Sequence, residues 1–456
     1  MEKEEGFYWE QHAAAEKFCL DLLQDVKQKN SMLARFEENL IRQTSTRMLD
    51  WVDHFHLREK KETRKRIKAL GFVRQKESKQ EAFSHPGALL PGIVLTGDLS
   101  GREGGVALSV EGIADFLQVN GFHAEIEGGP FGPFRRCLVG VEKGGAFEVV
   151  ERRGTKDYEP VYPDASFLQR YFAALELWQQ RPRQGENDDA AFADLFRMAA
   201  HLVEQLGQDL AAHVVCQGER GYWLSRNFAA RLQQSRQAAL GLGWGNHDHY
   251  TFRSSRRNFS RLVSFFSRLG FQLRERFYAG AEAGWGAQVM ENSSAGLILF
   301  LDVDLAREEV GTDFSRDELQ PREQLGTVGL WCALHGDSIF GAGLHHLAAR
   351  FEFERLIADI LRYGVEYMAP FSNFTYLKQA FSVAERWEVD QVRVEKLVRE
   401  QTITGEQAER FLAQGAIGSH LENIQRREGY KGFNRKNVSA IIRATDPRKH
   451  GADVPS

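Results

Sequence analysis

Cysteine is scarce: Cys19, Cys137, Cys216 and Cys332 are the only four in 456 residues, widely separated and without a CxxC pair. That spacing argues against a structural zinc–thiolate site and against a disulfide framework, and leaves buried free thiols in a reducing compartment as the expectation. Long apolar runs are missing too, and nothing approaches the roughly 18 consecutive apolar residues of a membrane span. Positive charge is not in excess, with 59 Lys and Arg against 63 Asp and Glu and a net charge of -4. Neither nucleic acid nor an acidic membrane is therefore an expected partner. The opening stretch through Lys17 is acidic and amphipathic and lacks the basic and apolar regions of a signal peptide, so a cytoplasmic location is expected. What is present is 42% hydrophobic and 27% charged residues, a globular composition with length for two to four domains.

Apolar residues at helical spacing, among them Phe18, Leu22, Leu33, Phe36 and Leu40, predict helices over 8–48. Residues 49–154 alternate strand and helix in the order β-α-β-β-β. Helices return over 165–240, interrupted by a polar loop at 181–189 where Asp188 or Asp189 is a candidate cap. From Gly241 a second β-α-β-β-β run follows, with a helical insertion at 389–415 and a polar tail after Asp446.

Short segments recur in the same order. Asp53-His54-Phe55-His56-Leu57-Arg58 matches Asp248-His249-Tyr250-Thr251-Phe252-Arg253, and each is followed by a basic helix ending in Leu-Gly-Phe. The stretch from Ile113 matches that from Ile357, and Phe147-Glu148 matches Leu421-Glu422. The expected architecture is α+β, two copies of one domain built from paired β-α-β-β-β units, with additional helices. The expected divisions are N-terminal helices at 1–48, a degenerate copy at 49–154, a helical linker at 155–240, a metal-binding catalytic copy at 241–446 and a loose tail at 447–456. The copies differ at one telling place: His345-His346 stands where the simplest alignment gives the N-terminal copy Gly104-Gly105. One copy then offers His, His and Glu, the other His and Glu, and the N-terminal copy is expected to have lost its site.

Strand periodicity places His247, His249, Thr251 and Arg253 on one face, points His345 and His346 to opposite faces, and puts His420 with Glu422. Several ligand sets remain open on parity alone. Two imidazoles and a carboxylate form the facial triad that suits non-haem Fe(II) and leaves coordination positions free.

Four segments resemble the 2-oxoadipate dioxygenase/decarboxylase (hydroxyglutarate synthase) family of the vicinal-oxygen-chelate superfamily. They are DHYTFRS at 248–254, LHHLAARF at 344–351, YLKQAFSVAE at 376–385 and IGSHLENIQRR at 417–427. The resemblance implies paired vicinal-oxygen-chelate-type domains and Fe(II) held by His249, His346 and Glu422. It also implies Arg253 as the carboxylate-binding, catalytic arginine; Gln379 is a candidate either to hydrogen-bond a substrate oxygen or to satisfy buried backbone. His345 departs from the family's Asn at its position. The implied reaction consumes O2 and a 2-oxo acid, releases CO2 and leaves a shortened hydroxy acid. A non-oxidative metal-dependent isomerase or lyase on the same scaffold, or a non-catalytic binding protein, are the other readings.

Overall fold

In a computed structural model of the chain, the described residues are 9–76, 78–97, 102–184, 187–278, 284–434, 441–442 and 444–448. Most of the expected loose tail, from residue 449 onward, lies outside them.

Two eight-stranded sheets carry the architecture. The first contains β1 (Val52–Arg58), β2 (Val73–Arg74), β3 (Glu81–Ser84), β4 (Gly92–Thr96), β5 (Gly104–Ser109), β6 (Ile126–Glu127), β7 (Phe134–Glu142) and β8 (Gly145–Arg152). Its order is β2-β3-β4-β1-β5-β8-β7-β6. The second contains β9 (His247–Arg253), β10 (Gln272–Tyr278), β11 (Trp285–Asn292), β12 (Leu297–Asp304), β13 (His346–Arg350), β14 (Ser372–Asn373) and β15 (Leu377–Phe381). A small hairpin of β16 (Arg386–Trp387) and β17 (Ala416–Ile417) interrupts it before the last strand, β18 (His420–Arg426). The order of the second sheet is β10-β11-β12-β9-β13-β18-β15-β14.

Position by position the two orders coincide. In each sheet the two central strands run antiparallel, β1 with β5 and β9 with β13, and each central strand is flanked by a parallel neighbour. Helices α3 (Lys61–Ala69) and α4 (Ile113–Asn120) follow β1 and β5, as α9 (Phe259–Arg268) and α11 (Phe353–Ile360) follow β9 and β13. This is the expected fold class, a duplicated vicinal-oxygen-chelate-type α+β architecture of paired β-α-β-β-β units.

The remaining helices cover outer faces. Helices α1 (Ala13–Lys29) and α2 (Ser31–Thr44) bury Phe18, Leu23, Leu33, Phe36 and Leu40 in one core with Phe55, Val106 and Phe147 of the first sheet. Helices α5 (Phe167–Gln179), α6 (Asp188–Leu206), α7 (Gln208–Leu224) and α8 (Phe228–Ala238) join the outer face of the second sheet. Helix α6 is capped by Asn187, whose side chain accepts from the Ala190 amide, one residue before the expected aspartates. An amide oxygen at that position satisfies one of the helix's free N–H groups, while Asp188 and Asp189 complement the dipole from within the first turn. The Phe-rich α9 is core: Phe259, Phe265 and Phe266 are fully buried against β12 and α6. The insertion at 389–415 forms α12 (Gln391–Arg399) and α13 (Gly405–Gln414), packed on α10 (Thr327–His335). All four cysteines are free and buried. Among the described residues no helix is long and apolar enough to cross a membrane.

Candidate metal centre

Ladder register brings the expected ligands together. His249 on β9 pairs with Ala348 on β13, and Ala348 pairs with Glu422 on β18. His346 pairs with Thr251 one step along. Side chains two apart on neighbouring strands share a face, so the three converge across β9, β13 and β18. Each offers one ligand atom, and all these atoms lie within 4.8 Å of one another. Glu422 Oε2 is 3.0 Å from His346 Nε2 and 3.4 Å from His249 Nε2. All three residues are buried.

Two further groups fix the arrangement. Asp248 Oδ1 lies 3.1 Å from His249 Nδ1, which places a proton on that nitrogen and leaves Nε2 as a lone pair toward the centre. Asp248 is itself gripped by Arg426, at 2.9 and 3.0 Å. Gln379 donates from Nε2 to Glu422 Oε1 at 2.8 Å, leaving Oε2 for the imidazoles. The amide oxygen of Gln379 accepts from the Asn434 backbone at 3.4 Å. Gln379 lines the cavity with each end of its amide in one hydrogen bond, the nitrogen to Glu422 and the oxygen to the Asn434 backbone.

Two parity expectations need correcting. The β9–β13 register slips between Ala348 and Ala349, so that Asp248 is an extra residue opposite them. The bulge brings Asp248 around to Arg426 and His249 and removes His247 from their face; His247 is half-buried beside Arg220, Arg350 and Tyr250. His345 does not face away. It precedes β13, its Nδ1 lies 2.9 Å from His346 Nδ1, and it lines the same cavity. Alternation holds only inside the strand, and His345 stands one residue outside it. His420 shares a face with Glu422 as expected, with Nδ1 2.8 Å from the Ser382 carbonyl.

Electrostatics fit a cation site. Burial alone would push Glu422 up, but His249 and His346 hold it down at about 2. Burial opposes a charge on His249 as well, yet Glu422 and Asp248 outweigh it and raise the imidazole above its ordinary value of 6.5. Burial dominates at His346, which is depressed. Without a metal, a proton on His249 thus balances the carboxylate, at the place where a divalent ion would bind. The donor set, two neutral imidazoles and one anionic oxygen, fits a borderline divalent ion such as Fe(II).

A pH dependence follows with a definite sign. A metal must displace the His249 proton, so apparent affinity should be flat above the raised His249 pKa and fall by about tenfold per pH unit below it. Glu422 stays ionised throughout this range. Equilibrium dialysis between pH 5.5 and 8.5 reads this directly, and an affinity constant across the window would contradict it.

Around the centre lies a cavity of about 60 Å3 with mostly apolar walls, including Phe277, Trp285, Phe300, Phe381 and Phe433. Its polar lining includes Thr251, Asn434 and the pair Arg253 and Asp302. Arg253 is fully buried, the seventh and last residue of β9, with its guanidinium 5.5 Å over Trp331. Among the described residues its Nε and Nη1 have no hydrogen-bond partner. Asp302 Oδ2 is 4.0 Å from Nε, too far for a hydrogen bond. Burial pushes Asp302 up to about 7 despite Arg253 and His249, so its carboxylate is an incomplete counter-charge near neutrality. The next acid on the strand, Asp304, accepts from the amides of Gly326, Val328 and Gly329 and anchors the helix that carries Trp331. The acidic strand end thus divides its work between a helix start and the cavity wall.

In the first sheet, register equates His54 with His249, Glu148 with Glu422 and Gly105 with His346. It also shows a residue the sequence comparison left out. His56 occupies the Thr251 position, and its Nε2 lies 2.9 Å from His54 Nε2 and 3.2 Å from Glu148 Oε2. The i, i+2 spacing of His54 and His56 on a strand was the available signal.

No family model and no curated protein matches the chain. Among solved structures, it is similar to a substituted 4-hydroxymandelate synthase from Streptomyces coelicolor, at 12% identity over 87% of this chain and 98% of that one, with a TM-score of 0.31. Methylmalonyl-CoA epimerase from Mycobacterium tuberculosis aligns at 10% identity over 40% of this chain and 88% of its own, with a TM-score of 0.23. A Streptomyces coelicolor methylmalonyl-CoA epimerase variant in complex with 2-nitronate-propionyl-CoA gives 16%, 40%, 96% and 0.21. Scores this low leave the architecture to be read from the strand order itself.

Proposed function

We propose that the chain is an Fe(II)-dependent dioxygenase that oxidatively decarboxylates a 2-oxo acid, with residues 241–446 as its catalytic copy. The observation that carries this reading is a fully buried guanidinium, two of whose nitrogens have no hydrogen-bond partner among the described residues, beside a buried His-His-Glu cluster. An uncompensated buried charge is costly unless a ligand supplies its partner. A carboxylate is the ligand that matches the planar fork of an arginine.

His249, His346 and Glu422 would hold the ion, which when bound supplies redox chemistry toward O2 and Lewis acidity toward a chelating 2-oxo acid. The chain's own residues do the rest. Asp248 keeps His249 in the tautomer that offers Nε2, and Gln379 turns Glu422 Oε2 inward. Arg253 receives the substrate carboxylate, and Phe277, Phe300, Phe381 and Phe433 exclude water from the reacting groups.

The deciding experiment loads the protein anaerobically with Fe(II) and follows O2 uptake and CO2 release over a panel of 2-oxo acids. Equimolar O2 consumption and CO2 release with one of them is expected. Metal-dependent turnover without O2 uptake would replace this reading with a non-oxidative isomerase or lyase.

Gln379 supplies a further expectation. Gln379→Ala removes a hydrogen bond to the ligand carboxylate and should weaken the C-terminal metal site by about 10- to 100-fold without unfolding the chain. Metal titration checks it. An unchanged metal affinity with a raised KM would return Gln379 to the substrate.

A further inference from the structure

The proposed function gives no task to His345, a buried residue that lines the cavity beside the triad. Its main chain is pinned on both sides. The His345 amide donates to the Thr251 carbonyl at 3.0 Å, and the His345 carbonyl accepts from the His420 amide at 3.1 Å. Its ring is held as well. Trp331 and Phe381 meet it edge to face, with ring centroids 5.6 and 6.2 Å away, and Trp331 is itself anchored by a hydrogen bond from Nε1 to the Gly418 carbonyl. Packing of this kind resists ring rotation, so Nδ1 stays against His346 and Nε2 stays at the far end of the ring.

The neighbouring ligand dictates where the His345 hydrogen sits. His345 Nδ1 and His346 Nδ1 are 2.9 Å apart, a distance that fits one hydrogen between them. Burial and the Arg253 guanidinium hold His345 well below the ordinary imidazole range, and burial lowers His346, so each ring is neutral and carries one hydrogen. In the empty triad the ionised Glu422 can only accept. Its Oε2, 3.0 Å from His346 Nε2, therefore puts the His346 hydrogen on that nitrogen, where Thr251 Oγ1 at 2.8 Å can accept it too. His346 Nδ1 is then a lone pair, the shared hydrogen belongs to His345 Nδ1, and His345 Nε2 is an acceptor. A cation held by His346 Nε2 reverses the order. His346 then donates from Nδ1 to His345 Nδ1, and His345 carries its own hydrogen on Nε2. The two rings hold two hydrogens in either state, and only the places change.

That far nitrogen is buried and has no hydrogen-bond partner among the described residues. Arg253 Nε and Nη1 share this condition and the same cavity. With the triad filled, the wall presents N–H groups from both residues, which an anionic or carbonyl oxygen satisfies. With the triad empty, a lone pair on His345 Nε2 repels the same oxygen.

Resting on the metal-centre and 2-oxo acid reading above, we propose that His345 is a specificity-determining residue: filling the triad converts its Nε2 from acceptor to donor, and an oxygen of the acid takes that hydrogen beside Arg253. Metal therefore binds before acid.

The test uses the full chain, Zn(II) as a diamagnetic probe metal and pyruvate as the simplest 2-oxo acid. Proton–nitrogen correlation spectra of histidine-labelled protein read the tautomers. His345 is expected as the Nδ1–H form without metal and as the Nε2–H form after loading. A His345 that keeps one tautomer while equilibrium dialysis shows Zn(II) bound overturns the proposal. Calorimetry gives a second readout. His345→Ala should weaken Zn(II) by about tenfold, because His346 Nδ1–H loses its acceptor. At saturating Zn(II) it should weaken pyruvate by about tenfold, and without metal it should leave pyruvate affinity unchanged or tighter. Chelation of the metal by pyruvate is common to both chains and cancels in the comparison. His345→Asn, whose amide can donate in either state, should recover the loaded affinity and raise the metal-free one. Equal losses of pyruvate with and without Zn(II) would make the residue structural and overturn the proposal. If no Zn(II) binds, the triad and this proposal fall together. If the tautomer switches but iron-loaded protein consumes no O2 with any 2-oxo acid, the coupling stands and only the proposed activity falls.

Discussion

Glu422→Ala should lose the bound metal and reduce O2-coupled turnover by more than about 1000-fold. Glu422 is the only anionic donor among the three ligands, and its Oε2 lies within 3.4 Å of both imidazoles. Two neutral imidazoles alone leave a divalent charge uncompensated in a buried site, where the desolvation cost is several kcal/mol. The proton on His249 should go as well. Burial lowers the His249 pKa and Glu422 leads the groups that raise it, so truncation should drop it toward or below 6.5. The fold should survive, because both histidines can be buried neutral while Asp248 still holds His249. NMR titration of the imidazoles, metal dialysis and an oxygen electrode read the three consequences. A Glu422→Ala chain that keeps its metal at wild-type affinity would remove the triad.

Arg253→Ala should leave metal binding intact and cost about 2–4 kcal/mol in transition-state binding, roughly 30- to 1000-fold in kcat/KM. The guanidinium touches no metal ligand, and its Nε and Nη1 face the cavity without a partner among the described residues. Arg253→Lys should recover only part of the loss, since an ammonium cannot make two parallel hydrogen bonds to a carboxylate. Stability separates this role from a structural one. A structural ion pair would make the arginine necessary to the fold, but its nearest acid is 4.0 Å away. Arg253→Met, which exchanges an uncompensated buried charge for an apolar chain of similar length, should therefore leave Tm unchanged or raise it. Wild-type efficiency in Arg253→Ala, or a chain that unfolds whenever the guanidinium is removed, would falsify the assignment.

Much of the architecture was legible in the chain itself. Two-residue periodicity in WVDHFHL and HDHYTFR, helical periodicity between, and Leu-Gly-Phe after each basic helix revealed two copies of one unit. These are local signals: a strand's alternation and a helix's stop depend on neighbouring residues alone. The candidate triad His249, His346 and Glu422 came from the resemblance of four short segments to a known family, since strand periodicity alone left several ligand sets open. Where the reading went astray, the cause was always a relation between strands. A bulge at Asp248 took His247 off the shared face, and a strand starting one residue late left His345 in the cavity. Neither has a local signature, because a bulge is defined by what lies opposite it. His56 shows the same limit most clearly. Alignment compares a residue with its counterpart in the other copy, so it saw Gly105 in place of His346 and counted a ligand lost. Only the ladder, which pairs Gly105 with His56, shows a second imidazole 2.9 Å from His54 on the same strand. Sequence by itself determined the elements, their repetition and the chemical types of the donors. Tertiary structure decided which donors share a face, because in a sheet that depends on register between segments far apart along the chain.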